Sequence, residues 1–170
     1  MHIVNCTLND IDEIFSFYSN ASTLQKSLNK VVWPVFSRVL VETELTENRQ
    51  FKLLIDSKTA CIWAITFDDP EIWGEKNNDP SVYIHRIATH ADFRGKDLVK
   101  EIVNWAIDFA KANQKLYVRL DTIGGNQKLI EHYQNCGFNY LGLTKMETFE
   151  NLPAHYHNAT VSLFEIPVKD

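Results

Sequence analysis

The chain has 170 residues, enough for one domain that buries about 70% of its extended-chain surface and needs neither disulfide nor metal to hold a core. Its hydrophobic fraction of 45% and charged fraction of 23% are those of an ordinary soluble globule, and no window of the sequence approaches a membrane span. A net charge of −5 argues against broad nucleic-acid binding, which needs a positive face.

His2-Ile3-Val4 reads as a first strand, followed by Asp10, Asp12 and Glu13 rather than by a basic and apolar leader. The cysteines, Cys6, Cys61 and Cys136, are single and far apart, so they form no metal or redox motif. These features lead to the expectation of a reduced, cytoplasmic protein with no metal. From Asn9 or Asp10 a helix starts, with Ile11, Ile14, Phe15 and Tyr18 on one face. A second helical stretch follows Pro34 and uses Val35, Val39, Leu40 and Leu45, while Glu42, Glu44 and Glu47 read as its solvated face. The aromatic set Phe15, Tyr18, Trp33 and Phe36 has helical spacing, which fits core packing better than the lining of an acceptor pocket.

Phe51 to Asp56 and Cys61 to Phe67 read as a hairpin around Ser57-Lys58. Asp68 to Pro80 is a polar loop in which Trp73 serves as a local anchor or a lid. Strand alternation over Val82 to Thr89 puts Tyr83, His85 and Ile87 on one side and Val82, Ile84, Arg86 and Ala88 on the other. Then comes Arg94-Gly95-Lys96, and from Leu98 to Ala110 apolar residues recur with a period of about 3.6, which predicts a long amphipathic helix. A helix start offers unpaired N–H groups and a positive dipole end, and Gly95 lets the main chain approach a ligand, so this turn is suited to an anion.

Leu116 to Leu120 reads as a strand, Asp121 to Asn126 as a turn, and Lys128 to Cys136 as a short helix stopped by Gly137. Leu129, Ile130 and Tyr133 share one side of it. Tyr140 to Met146 and Thr160 to Val168 close the chain as two antiparallel strands. Of the remaining histidines, His90, His132, His155 and His157 have no recognisable ligand spacing.

A strand, then x-x-R-G-K-x-L-x opening a helix, then a strand, then N-x-x-L-I-x-x-Y-x-x-x-G-F resembles the core of the GNAT superfamily, the GCN5-related N-acetyltransferases. The resemblance implies an α/β (α+β) fold: a GNAT-like mixed, mostly antiparallel, central sheet of about six to seven strands with helices on both faces. It also implies one GNAT-like acetyltransferase domain over 1–170 that moves an acetyl group from acetyl-CoA to a small-molecule or peptide amine, with no nucleic acid and no membrane, and with room for a homodimer. The implied CoA-binding set is Ile87, Ala88, Thr89, Arg94, Gly95, Lys96, Asp97, Leu98, Asn126 and Tyr133. The implied catalytic pair is Tyr133, protonating the departing thiolate, and His85, acting as base directly or through water in a position where the family often has Glu. The usual phosphate loop reads Q/R-x-x-G-x-G/A, whereas this chain has Asp92 to Asp97 with carboxylates at both ends. That departure keeps a second reading open, a catalytically inactive CoA-binding module of the same fold, and a third, a non-enzymatic α/β interaction domain.

Overall fold

The computed structural model describes residues 1–146 and 154–169. Seven strands form one mixed, mostly antiparallel sheet in the order β1-β2-β3-β4-β5-β7-β6. By proximity the chain divides into two compact units, the first made of Met1–Ile65 and His85–Leu98, the second of Thr66–Ile84 and the described residues from Val99 onward.

In the first unit β1 (His2–Asn5) pairs antiparallel with β2 (Gln50–Ile55), which pairs antiparallel with β3 (Lys58–Thr66). Asp56 and Ser57 carry φ of 49° and 63°, the two left-handed positions that a tight hairpin turn demands. β3 therefore starts at Lys58, three residues before the predicted Cys61, because the turn is tighter than its composition suggested. Helix α1 (Ile11–Ser27) buries Ile11, Ile14, Phe17 and Tyr18, with Phe15 only half covered. Helix α2 spans Arg38–Thr46 and is capped by Ser37, whose Oγ accepts from Leu40 N. The predicted apolar face of this helix is corrected: Val35 precedes it and is 98% exposed, and Val39 is 70% exposed. Val41, Glu44 and Leu45 are the residues that share the buried stripe, because they are three and four apart. Glu44, expected in solvent, is buried.

In the second unit the first part of β4 (Ser81–Thr89) runs parallel to β5 (Tyr117–Ile123), with Ser81 opposite Tyr117 and Tyr83 opposite Arg119. β5 pairs antiparallel with β7 (Thr160–Pro167), which in turn pairs antiparallel with β6 (Asn139–Lys145). The predicted loop after Asp68 contains a helical turn, α3 (Pro70–Trp73), and a 3-10 segment, and it buries Trp73 as an anchor. Helix α4 (Leu98–Ala112) has the predicted period, burying Leu98, Ile102, Val103, Ala106 and Ala110. Helix α5 (Gln127–Asn135) starts at Asn126, whose Oδ1 accepts from Leu129 N, and ends before Gly137 at φ 102°.

Candidate active site

β4 is the strand on which the sequence-predicted chemistry lies, and its alternation fails at one residue. Arg86 has φ 54°, a left-handed conformation rare for a long side chain in mid-strand. The side-chain contacts of Arg86 oppose that strain. Its Nη2 donates to Glu44 Oε1, and its guanidinium lies 5.0 Å from the Phe36 ring centroid and 5.5 Å from that of Tyr18. Gln50 Nε2 donates to Glu44 Oε2 at 2.8 Å and to Tyr18 Oη at 3.0 Å, which ties helix α1, helix α2 and β2 to this one cation. The two-face reading of Val82 to Thr89 therefore holds only up to the kink.

His85, next to it, is half-buried. Burial, then the charges of Arg86 and Arg49, push its imidazole down to about 3, so the ring is neutral throughout the physiological range. The ordinary histidine value, which suggested proton acceptance near neutrality, does not apply at this position. A neutral His85 is a weak base but can still orient a water through its unprotonated nitrogen.

Beyond the kink, Ala88 is buried, Thr89 Oγ1 lies 3.4 Å from Cys61 Sγ, and His90 N donates to Ala60 O. The chain then turns at Phe93, and Arg94, Gly95, Lys96 and Asp97 are all exposed before Leu98 is buried as α4 begins. Gly95 has φ 77° and Asp97 φ 52°, and a Cβ built at Gly95 would meet nothing within 4 Å. The two left-handed residues thus present an open main chain. They stand where the resembled loop has its two small residues, and the φ at Asp97 is one that glycine adopts without strain. Lys96 Nζ rests 4.8 Å above the Phe93 ring.

Of the predicted site residues, the structure gathers His85, Ile87, Ala88, Thr89, Arg94, Gly95, Lys96, Asp97 and Leu98 in the first unit on one continuous stretch. Asn126 and Tyr133 belong to the second unit. There Asn126 caps α5, and the Tyr133 ring packs 5.1 Å from Phe164 and 5.9 Å from Phe138.

The second unit also holds acidic groups that the sequence reading passed over. The sequence reads as a turn from Asp121, but β5 continues through it, with Asp121 opposite Leu163. Tyr156 donates to Asp121 Oδ2 at 2.9 Å, and an Asp69 carboxylate oxygen lies within 4.8 Å of one on Asp121. Burial pushes Asp121 up to about 6, with the Tyr156 hydrogen bond pulling the other way. Burial, followed by the charges of Asp121, Glu71 and Asp68, pushes Asp69 up to about 8. The available signal was an acid placed inside a β-rich run, as in Leu120-Asp121-Thr122-Ile123.

Both folded values lie above the ordinary 3.8, so folding makes both carboxyls easier to protonate than in the unfolded chain. Their contribution to stability is complete below that value, and for Asp69 it is lost as pH rises through about 8. Calorimetry between pH 6 and 9 should therefore find the wild-type melting temperature falling more steeply than that of Asp69→Asn, with the variant the more stable at pH 9. Parallel slopes would mean that Asp69 ionises normally.

The model of the acetyltransferase (GNAT) family matches residues 35–138, which is more than half of the chain. The chain belongs to the GNAT acetyltransferase family. Among curated relatives, an uncharacterized N-acetyltransferase of Bacillus subtilis (strain 168), YesJ, is 28% identical over 74 residues. That match covers 44% of this chain and spans 41% of the relative's length. Among solved structures, a GNAT family acetyltransferase from Listeria monocytogenes superposes with a TM-score of 0.77 at 17% identity, covering 98% of this chain and 94% of that one. A putative acetyltransferase from Salmonella typhimurium, YncA, solved with its cofactor acetyl-CoA, has a TM-score of 0.70 at 12% identity, covering 99% and 94%. At these identities the structural likeness speaks for the fold of this GNAT protein. Among the described residues no helix is long and apolar enough to cross a membrane.

Proposed function

We propose that the chain works as a single acetyl-CoA-dependent N-acetyltransferase domain acting on a primary amine. The observation that carries this reading is the left-handed pair Gly95 and Asp97 leading into α4, within the stretch the family model matches. An exposed loop whose main chain is open at Gly95 fits a diphosphate, which backbone amides at a helix start hold well.

In this reading Arg94, Gly95, Lys96, Asp97 and Leu98 hold the pyrophosphate, Ile87, Ala88 and Thr89 offer main-chain groups to the pantetheine arm, and Asn126 fixes the start of α5. Acetyl-CoA supplies the thioester carbonyl carbon that the neutral amine attacks and the thiol that departs. Main-chain N–H groups near Ile87 face the developing oxyanion, a contact whose loss in other enzymes costs about 3 kcal/mol. A water ordered by neutral His85 takes the proton released as the new C–N bond forms. Tyr133 gives its proton to the sulfur as the C–S bond breaks.

The test combines binding with turnover. Acetyl-CoA should raise the melting temperature, and a panel of amines should then release free thiol from it. Asp97→Gly should tighten acetyl-CoA about fivefold by titration calorimetry, since it removes a like charge worth about 1 kcal/mol near a phosphate and suits the left-handed backbone. Stabilisation without thiol release from any amine would reduce the protein to a binder, and neither response would end the reading.

A further inference from the structure

Arg86 has more hydrogen-bonding capacity than its neighbours use. Its side chain is 10% exposed, and its Nη1 is buried with no hydrogen-bond partner among the described residues. A second buried atom in the same network, Gln50 Oε1, likewise has none. A guanidinium is a flat, permanently charged fork whose geometry matches a carboxylate. Here Glu44 occupies one nitrogen and leaves the other open, between the rings of Phe36 and Tyr18.

Part of what covers this group is Phe36, whose ring centroid lies 5.0 Å from the guanidinium. The segment 28–37 between α1 and α2 has no regular structure, and it lays Trp33 and Phe36 against Tyr18, with ring centroids 6.0 and 5.0 Å away. Trp33 N is tied to Gln25 Oε1 at 2.9 Å, whereas Val31, Val32 and Val35 of the same segment face solvent. Such a cover can lift without breaking a helix.

We propose that Arg86 Nη1 receives the carboxylate of the acceptor, so that the substrates are amino acids, or close derivatives, with apolar side chains. This deepens the acetyltransferase reading and rests on it. Arg86 stands between His85 and Ile87, the residues assigned to the proton and the oxyanion, and one strand residue advances about 3.3 Å. The proposal requires that a carboxylate anchored there hold its own α-amine within reach of both groups. The aromatic rings take the side chain, and Gln50 Oε1 is left to accept an N–H.

Matched pairs that differ only by the carboxylate test the proposal: L-leucine against isopentylamine, and L-phenylalanine against phenethylamine. With acetyl-CoA, wild-type kcat/KM should favour the amino acid of each pair by about tenfold or more, as expected for a hydrogen bond to a charged group, and mainly through KM. In Arg86→Gln that preference should collapse. Equal kcat/KM within the pairs, or a preference that survives in a variant shown by near-ultraviolet dichroism to be folded, overturns the proposal. Because Arg86→Gln can fail to fold, the wild type is also melted with N-acetyl-L-leucine and with N-isopentylacetamide. Protection by the first alone supports the site, and equal protection or none overturns it. No thiol release from any amine would overturn the acetyltransferase reading instead, and this melting comparison would still decide whether Arg86 binds a carboxylate.

Discussion

Arg119→Met is expected to cost about 3–5 kcal/mol of stability, the loss typical of breaking a buried ion pair from one side. Arg119 is fully buried, and every nitrogen of its guanidinium is used. Nε donates to Glu165 at 2.8 Å, Nη2 contacts Glu165 at 2.7 Å and Asp79 at 2.9 Å, and Nη1 donates to the Lys76 carbonyl at 2.5 Å. The rings of Tyr117 and Trp73 lie 4.5 and 4.9 Å from its guanidinium carbon. Once the cation is gone, Asp79, whose side chain is 47% exposed, turns back to water, but Glu165 at 12% cannot. The cost comes mainly from that stranded carboxylate. Arg119↔Glu165 is a direct cross-strand pair of β5 and β7, so Arg119→Met with Glu165→Leu should recover most of the loss by joining two apolar side chains. Urea unfolding of the two variants checks both statements. A loss below about 1 kcal/mol for Arg119→Met would place this network with ordinary surface pairs.

Local pattern carried the reading of α4, whose apolar residues repeat without interruption, and of α1, whose start and buried face follow from Asp10 and the Ile11, Ile14, Tyr18 spacing. The loop before α4 is read for a different reason, its resemblance to a family motif from which Asp97 departs, and Gly95 and Asp97 both take left-handed angles there. The features that escaped all depend on distant partners. Glu44 has the composition of a solvated helix face until Arg86, 42 residues away, meets it in the core. Asp121 has the composition of a turn until register with β7 and the Tyr156 hydroxyl place it inside β5. The kink in β4 falls on an arginine, which has no preference of its own for a left-handed position, and its contacts with Glu44 and the Phe36 and Tyr18 rings oppose the strain. For the same reason the ordinary proton affinity of histidine, which suggests His85 as a base, is misleading here, because burial and then the charges of Arg86 and Arg49 lower it.

Tyr133→Phe should lower turnover by about 100-fold, the lower end of what a positioned general acid contributes, while leaving acetyl-CoA affinity nearly unchanged. The substitution preserves the aromatic ring. The Tyr133 ring is held at 5.1 Å by Phe164 and at 5.9 Å, edge to face, by Phe138, and Ile130 one turn earlier is buried, so a phenylalanine keeps the ring and deletes only the oxygen. Steady-state turnover measured beside calorimetric titration of acetyl-CoA separates the two quantities, and unchanged turnover would remove Tyr133 from the role of acid. A structural role for the hydroxyl predicts a different pattern, a lowered melting temperature with turnover and affinity falling together. The choice of donor distinguishes these further. If the missing proton is the one that sulfur needs on leaving, an acetyl thioester of a more acidic thiol should suffer less from the substitution, because its thiolate departs without help.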